Sequence, residues 1–405
     1  MYSSINFLST SSFKAWLILI LMALIATNIN IQFPCLTAIK SNLRTTEFMI
    51  QLSLVLGPSL AIISNIFFGL WCDRFNPKTL LIYCIILFLT GSSLCALSFN
   101  IWQFFLGRAL QVLGDSGVSI IGFIILSNLC NNIKLGEYLG YNIILNTAFG
   151  ICSPLIGAYF LIYFSWRMNF ALLSFCSFIL LILLYFSLSE NYETKNPSPI
   201  SLKGLWREYI LQIQRPIFSL AVIIPALYAT VASLQEFYSP IFYIEIYGVS
   251  PQIFAYIRVA LIAINIIAAF LYIYIIKRKG IKLAFIIGVI WHALYTIGIT
   301  ATLLTSNHHQ PYLLFVLAGI QYISADFINP IGMITAISCF PNKKGVSLSM
   351  FALIRNIVSA CLILTAAFAF NESMRPIIVI IEIISIVLCY LLFIMYSKLF
   401  KRAIS

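Results

Sequence analysis

Acidic side chains are scarce in this chain. There are 12 Asp and Glu in 405 residues against 24 Lys and Arg, and only 9% of the positions are charged. A soluble domain carries about 25% charge, so a chain this poor in charge cannot clothe itself for water. Soluble enzymes and disordered proteins are excluded together. Histidine is also rare, at three residues. His292 stands alone in an apolar run, and His308 and His309 are neighbours in a polar one. The ten cysteines stand singly in apolar surroundings with no Cys-x-x-Cys pair. That spacing excludes a disulfide framework and structural zinc and leaves packing as small apolar groups. No Gly-x-Ser-x-Gly, no His-Glu-x-x-His and no phosphate-cradling glycine loop with its lysine is present. Proteolysis and ATP-driven transport lack their parts, so no catalytic residue, metal or cofactor is expected.

What the chain has instead is long apolar runs, with 61% of its residues hydrophobic. A hydrocarbon core about 30 Å thick takes roughly 20 apolar residues per helix. Runs of that length lie near 15–37, 50–71, 79–99, 102–127, 138–161 and 168–189, and again near 216–238, 251–276, 283–305, 311–337, 346–370 and 377–397. The first is too long for a cleaved signal, whose apolar region spans about 7–15 residues. The longest polar segment carries Pro197 and Pro199 and divides the chain into an N-terminal half (1–190), a connector (191–215) and a C-terminal half (216–405). Within the connector, Leu202 to Ile213 reads as a surface helix on the inner leaflet or as a plain tether. Lys and Arg fall seventeen to one set of loops and four to the other (Lys40, Arg44, Arg167 and Arg375). Since basic loops stay inside, both termini are placed in the cytoplasm and the connector is cytoplasmic. The same asymmetry explains the net charge of +12 without a nucleic-acid partner. The expected class is an all-α membrane protein of twelve transmembrane helices in two six-helix halves.

Ionisable groups inside such helices cost about 3 kcal/mol each at the bilayer centre and mark candidate sites. Arg108 and Asp115 are seven residues apart in one run, two helical turns, and therefore share a face. Glu236, Arg258, Asp326, Arg355 and Glu382 are the others. A structural ion pair, or a side chain reaching the interface, is the competing reading for each.

Several segments resemble a known family. Gly69 to Lys78 (GLWCDRFNPK) resembles the signature between spans 2 and 3 of the major facilitator superfamily, with Gly69, Asp73, Arg74 and Lys78 in its pattern. A carboxylate at Asp73 suits the positive end of a facing helix, and breaking that contact would open a cytoplasmic gate. Gly107 to Gly114 (GRALQVLG) is similar to the family's span 4 arginine motif. Ala148 to Phe160 (AFGICSPLIGAYF) is similar to its antiporter motif, with Gly150, Pro154 and Gly157. The segments at Ser165 to Phe170, Ile241 to Tyr256 and Phe340 to Asn356 resemble the bicyclomycin and chloramphenicol resistance (Bcr/CflA) group of drug:proton antiporters. The resemblance implies secondary export of small amphipathic compounds in exchange for protons. It also implies a bacterial inner-membrane location, a small-molecule substrate in a cavity between two rocking halves, and a monomer in the lipid bilayer.

Two positions depart from that pattern. Where the group carries an acidic residue a few positions before the Pro of span 1, this chain has Asn30 ahead of Pro34, and an amide exchanges no proton. Asp115 stands where small residues are expected. Coupling is therefore expected to rest on Asp115, with Arg108 beside it and Asp326 or Glu236 assisting; Arg258 and Asn30 complete the candidate cavity. Trp16, Phe33, Phe123, Tyr141, Tyr228, Phe237 and Tyr256 are candidate wall residues for stacking or cation–π contact. Metabolite uptake or facilitated diffusion on the same fold is the alternative, and Asn30 favours it.

Overall fold

The computed structural model describes residues 11–188, 202–304, 311–369 and 375–400. All regular elements among the described residues are helical. They run α1 Ser11–Ala26, α2 Leu36–Asn42, α3 Glu47–Cys72, α4 Pro77–Ala96, α5 Ile101–Leu129, α6 Asn132–Tyr163, α7 Trp166–Ser187, α8 Leu202–Ile213, α9 Pro216–Pro240, α10 Pro251–Leu304, α11 Pro311–Cys339, α12 Lys344–Ala369 and α13 Arg375–Phe400. The starts are written in the sequence. Side-chain oxygens of Thr46, Asn76, Asn100 and Asn131 accept from the N–H of Met49, Lys78, Gln103 and Lys134, filling donors a helix N-terminus leaves open. Pro77 follows its cap Asn76 at the first helical position, where a missing N–H costs nothing.

Among the described residues, ten helical segments, with Ser11–Asn42 taken as one, are long and apolar enough to cross a membrane. The first apolar run, expected as one unbroken span over 15–37, is not one helix. Helix α1 stops at Ala26, residues 27–29 form a turn, and Asn30–Cys35 is 3₁₀-helical before α2 resumes. The cause is local. Thr27 Oγ1 donates to the Leu24 carbonyl at 2.6 Å and Asn28 Nδ2 to the Ile25 carbonyl at 2.8 Å, so side chains occupy carbonyls that end the helix. Pro34 then supplies no N–H to the ladder. The opposite difference occurs at α10, whose 54 residues would reach about 81 Å at 1.5 Å per residue. It is two helices meeting at Gly280, whose φ of 81° belongs to the region that favours glycine. Helix α9 likewise ends irregularly, in a π-helical segment Ile241–Ile246.

The chain divides into two compact units, the change along the connector falling between Glu208 and Tyr209. Two short pieces depart from a simple halving: Leu139–Ile144 groups with the second unit and Asn342–Met350 with the first. In the first unit, α5 lies tightly on α4. A Cβ on Gly107 would come 2.8 Å from the Gly91 carbonyl oxygen, and one on Gly114 would come 2.6 Å from that of Cys84. That small-residue stripe brings the two backbones together and fixes which face of α5 carries Arg108. The connector segment Leu202–Ile213 forms a helix, with Trp206, Ile210 and Ile213 exposed along it and Tyr209 buried.

Candidate functional site: intramembrane carboxylates, an amide hub and a helix-start lock

In the first unit the break after α1 delivers Asn28 to the two charged groups of α5. Arg108, 1% exposed, donates from one terminal nitrogen to Asn28 Oδ1 at 3.2 Å and to Gln111 Oε1 at 2.7 Å. Asn28 in turn donates from Nδ2 to Asp115 Oδ2 at 3.2 Å. Gln111 continues the chain of bonds to Ser92 Oγ at 2.8 Å. Arg108 and Asp115 thus meet through an amide and make no direct ion pair. Asn28 is the residue that sequence reasoning missed. Attention fell on Asn30, two positions on, which lies in the 3₁₀ segment and whose amide nitrogen is the nearest group to Gly150, 3.7 Å from where a Cβ would stand. Helical spacing could not reveal Asn28, because the helix ends before it.

Of the antiporter-like triplet on α6, Gly157 is the position under pressure. A Cβ there would lie 2.2 Å from the Ile31 carbonyl oxygen, so the 3₁₀ segment rests on bare backbone. Helix α6 runs on through Pro154 to Tyr163. The loop signature separates into two environments. Asp73 accepts from the N–H of Gly345 at 2.7 Å and of Val346 at 3.0 Å, the first turn of α12, where the helix dipole favours a carboxylate. Gly69 permits this approach: its Cβ would collide with Ser349, and one on Gly345 would lie 2.4 Å from the Gly69 carbonyl oxygen. Burial pushes the Asp73 carboxyl up to about 6, against the pull of those two N–H groups and of the Lys343 and Arg74 charges. Lys344 donates to Asn128 Oδ1 at 2.6 Å, holding the same helix start. Lys78, 8% exposed, points elsewhere, its ammonium 5.2 Å from the Tyr185 ring centre.

In the second unit, Asp326 on α11 is 6% exposed, and both its oxygens accept from Asn265 Nδ2 of α10, at 3.0 and 2.9 Å. No cation pairs with Asp326 among the described residues. Glu236 and Arg258 bond to each other at 2.7 Å, with side chains 66% and 31% exposed. Arg258 and Tyr322 border a cavity of about 60 Å³. Arg355 is exposed and Glu382 half-buried. Tyr228 is no cavity wall: it is fully buried and bonded to Ser324 Oγ at 2.6 Å. His292 is packed against it, with Nε2 3.1 Å from the Ser385 carbonyl oxygen. His308 and His309 lie outside the described residues.

A family model described as Major Facilitator Superfamily matches residues 18–363. Among relatives, the uncharacterized MFS-type transporter YdgK of Bacillus subtilis (strain 168) is 26% identical over 270 residues, 66% of either chain. The vacuolar membrane amino acid uptake transporter fnx2 of Schizosaccharomyces pombe is 30% identical over 146 residues, 34% of this chain and 25% of that one. The MFS-type efflux pump MMF1 of Pseudozyma antarctica is 30% identical over 150 residues, 36% and 26% of the two chains. The matches therefore span under two thirds of these relatives. Similar solved structures include the proton:xylose symporter XylE, with a TM-score of 0.70 at 14% identity, covering 94% of this chain and 95% of that one. Another is a bacterial homologue of the iron transporter ferroportin in an outward-facing state, with a TM-score of 0.77 at 12% identity, covering 95% and 99%. At such identities the likeness is one of fold. The family match runs through nearly all the membrane-crossing helices just described, and the chain accordingly belongs to the Major Facilitator Superfamily, as a membrane transporter and not an enzyme.

Proposed function

We propose that the protein exports small amphipathic compounds in exchange for protons, by alternating access, as a monomer in the inner membrane of a bacterial cell. Within its superfamily we assign it to the Bcr/CflA-like drug:proton antiporters. Reading the Gly280 break as a turn between two spans, and counting α3 as a span, completes the twelve helices this requires. The basic cluster Lys277, Arg278, Lys279 and Lys282 around that break supports cytoplasmic placement of both termini. Asp73 on the start of α12 serves as the inner lock, with Gly69, Arg74 and Lys78 around it. Gly150, Pro154 and Gly157 seal α6 against leak.

The observation that carries the reading is Asp115, a half-buried carboxylate held by one amide, with a buried guanidinium on the far side of that amide. Such a group can give up its proton when the amide turns toward it and the guanidinium field is near, and regain it when either retreats. Asp326, bonded only to Asn265 among the described residues, is the second carrier. The test is retention of ethidium and chloramphenicol in efflux-deficient bacteria expressing the protein, with and without a protonophore. Export is expected to collapse with the protonophore and with Asp115→Asn. Uphill export by Asp115→Asn would remove Asp115 from the coupling role. Uptake or facilitated diffusion is the second reading, supported by the amide at Asn30 and by the fission-yeast relative named as an uptake transporter; export indifferent to the protonophore would favour it.

A further inference from the structure

The cavity beside Arg258 lies wholly within the second unit, between the last turns of α9 and the segment Ile241–Ile246, both ends of α10, the first turns of α11 and the start of α13. Its space of about 60 Å³ holds roughly four waters, too little for a drug and enough for the polar head of one. Its walls are of two kinds. Leu261, Ile299, Leu317 and Ile381 make one side apolar, and Arg258, Tyr322 and Gln235 make the other polar. Gln235 is half committed: its Nε2 donates to the Tyr295 hydroxyl at 3.1 Å, while its Oε1 is buried with no hydrogen-bond partner. A buried acceptor left open is destabilising and calls for an incoming N–H or O–H. Arg258 spends one terminal nitrogen on Glu236 Oε1, and its guanidinium has further donors in a planar fork that fits a carboxylate. Glu236, the more exposed partner of that pair, is placed to be displaced.

We infer that this cavity is a subsite for a small carboxylate bearing an adjacent N–H or O–H donor, the carboxylate replacing Glu236 on Arg258 and the donor filling Gln235 Oε1. The inference rests on the transporter reading and names the substrate class for it. Binding of a ligand here exchanges one internal ion pair for one with the ligand. A neutral compound, or a carboxylate without the donor, satisfies half the site. Glu236 is thereby a competitor for Arg258, which a structural partner would not be.

The test is ligand-induced thermal stabilisation of the full-length protein in lipid nanodiscs, with L-lactate, L-alanine and propionate as probes, run beside the export assay. Lactate or alanine is expected to stabilise at lower concentration than propionate by about tenfold, the worth of one hydrogen bond inside a cavity. Arg258→Gln is expected to lose the response to all three. Gln235→Leu is expected to level lactate with propionate, and Glu236→Gln to bind every probe more tightly. Failure of all three probes to stabilise the wild-type protein overturns the subsite. So does a Glu236→Gln variant that binds as weakly as Arg258→Gln, since the pair is then structural. Drug export that persists without carboxylate binding leaves the transporter reading standing while the subsite falls, so the two fail separately.

Discussion

Asn28 bears on two charged groups at once, accepting from Arg108 and donating to Asp115. Asn28→Leu keeps the number and branching of the side-chain heavy atoms and removes both bonds. It leaves a buried guanidinium and a carboxylate short of partners, for which the expected loss is about 1–3 kcal/mol of stability, read as a lower unfolding temperature in detergent. Asn30→Leu makes the comparison, since the half-buried amide there makes no side-chain hydrogen bond among the described residues, and it is expected to change little. Asp73 carries a prediction whose sign is easily mistaken. Bonded to α12, its carboxyl titrates at about 6, above the ordinary 3.8. The bonded state therefore binds the proton more tightly and is favoured as pH falls from about 6 to about 4. Above 6 both states are ionised and the balance no longer depends on pH. Amide exchange at Gly345 and Val346, corrected for its intrinsic rate, is expected to slow across that window, and Asp73→Asn is expected to flatten the dependence.

Among the elements, the two irregular segments are the most informative, and they fall at the ends of α1 and α9, the first long helices of the two sequence halves. Interrupted membrane helices free backbone groups where a transporter handles its cargo. One of these segments carries Asn28 just before it and the other follows directly on Glu236 and the cavity. The packing of α6 against the first of them gives a paired test. Gly157→Ala places a methyl 2.2 Å from the Ile31 carbonyl oxygen and must push the 3₁₀ segment aside, at a cost of about 1–3 kcal/mol. Gly150→Ala, whose nearest neighbour stands at 3.7 Å, is expected to be neutral. Unfolding temperature and passive proton leak in proteoliposomes check both, with leak rising only in Gly157→Ala. The sequence does not tell the two glycines apart, because their seven-residue spacing places both on one helix face whatever stands opposite.

At the scale of the molecule, the apolar runs announced helix order and approximate length, because a hydrocarbon slab sets the length of anything that crosses it. Gly280 breaks a long helix at a place the sequence marks independently: four basic residues in six positions surround the one residue whose φ deviates. The end of the first span was illegible for the converse reason. Thr27 and Asn28 end the helix by bonding to their own backbone, a local competition that leaves no period in an apolar run. Asp73 was readable as a carboxylate for a helix start, though which helix was not, since its donor pair Gly345 and Val346 lies some 270 positions away. A fluorescent or enzymatic reporter fused after Phe400 is expected to report the cytoplasm; an external signal would reverse the assignment of every loop.

The connector helix α8 has a further consequence for how the polypeptide can be cut. Glu208 pairs with Lys343 at 2.5 Å, and the guanidinium of Arg215, just past the helix, reaches the Cys339 carbonyl oxygen and lies 4.9 Å from the Phe340 ring centre. All three of those partners belong to the later part of the chain. A gene split upstream of Leu202 would leave α8 and its clasps on one polypeptide, whereas a split after Ile213 would strand the helix on the wrong fragment. Coexpressed fragments divided at the first point are expected to reassemble into a working transporter more readily than those divided at the second.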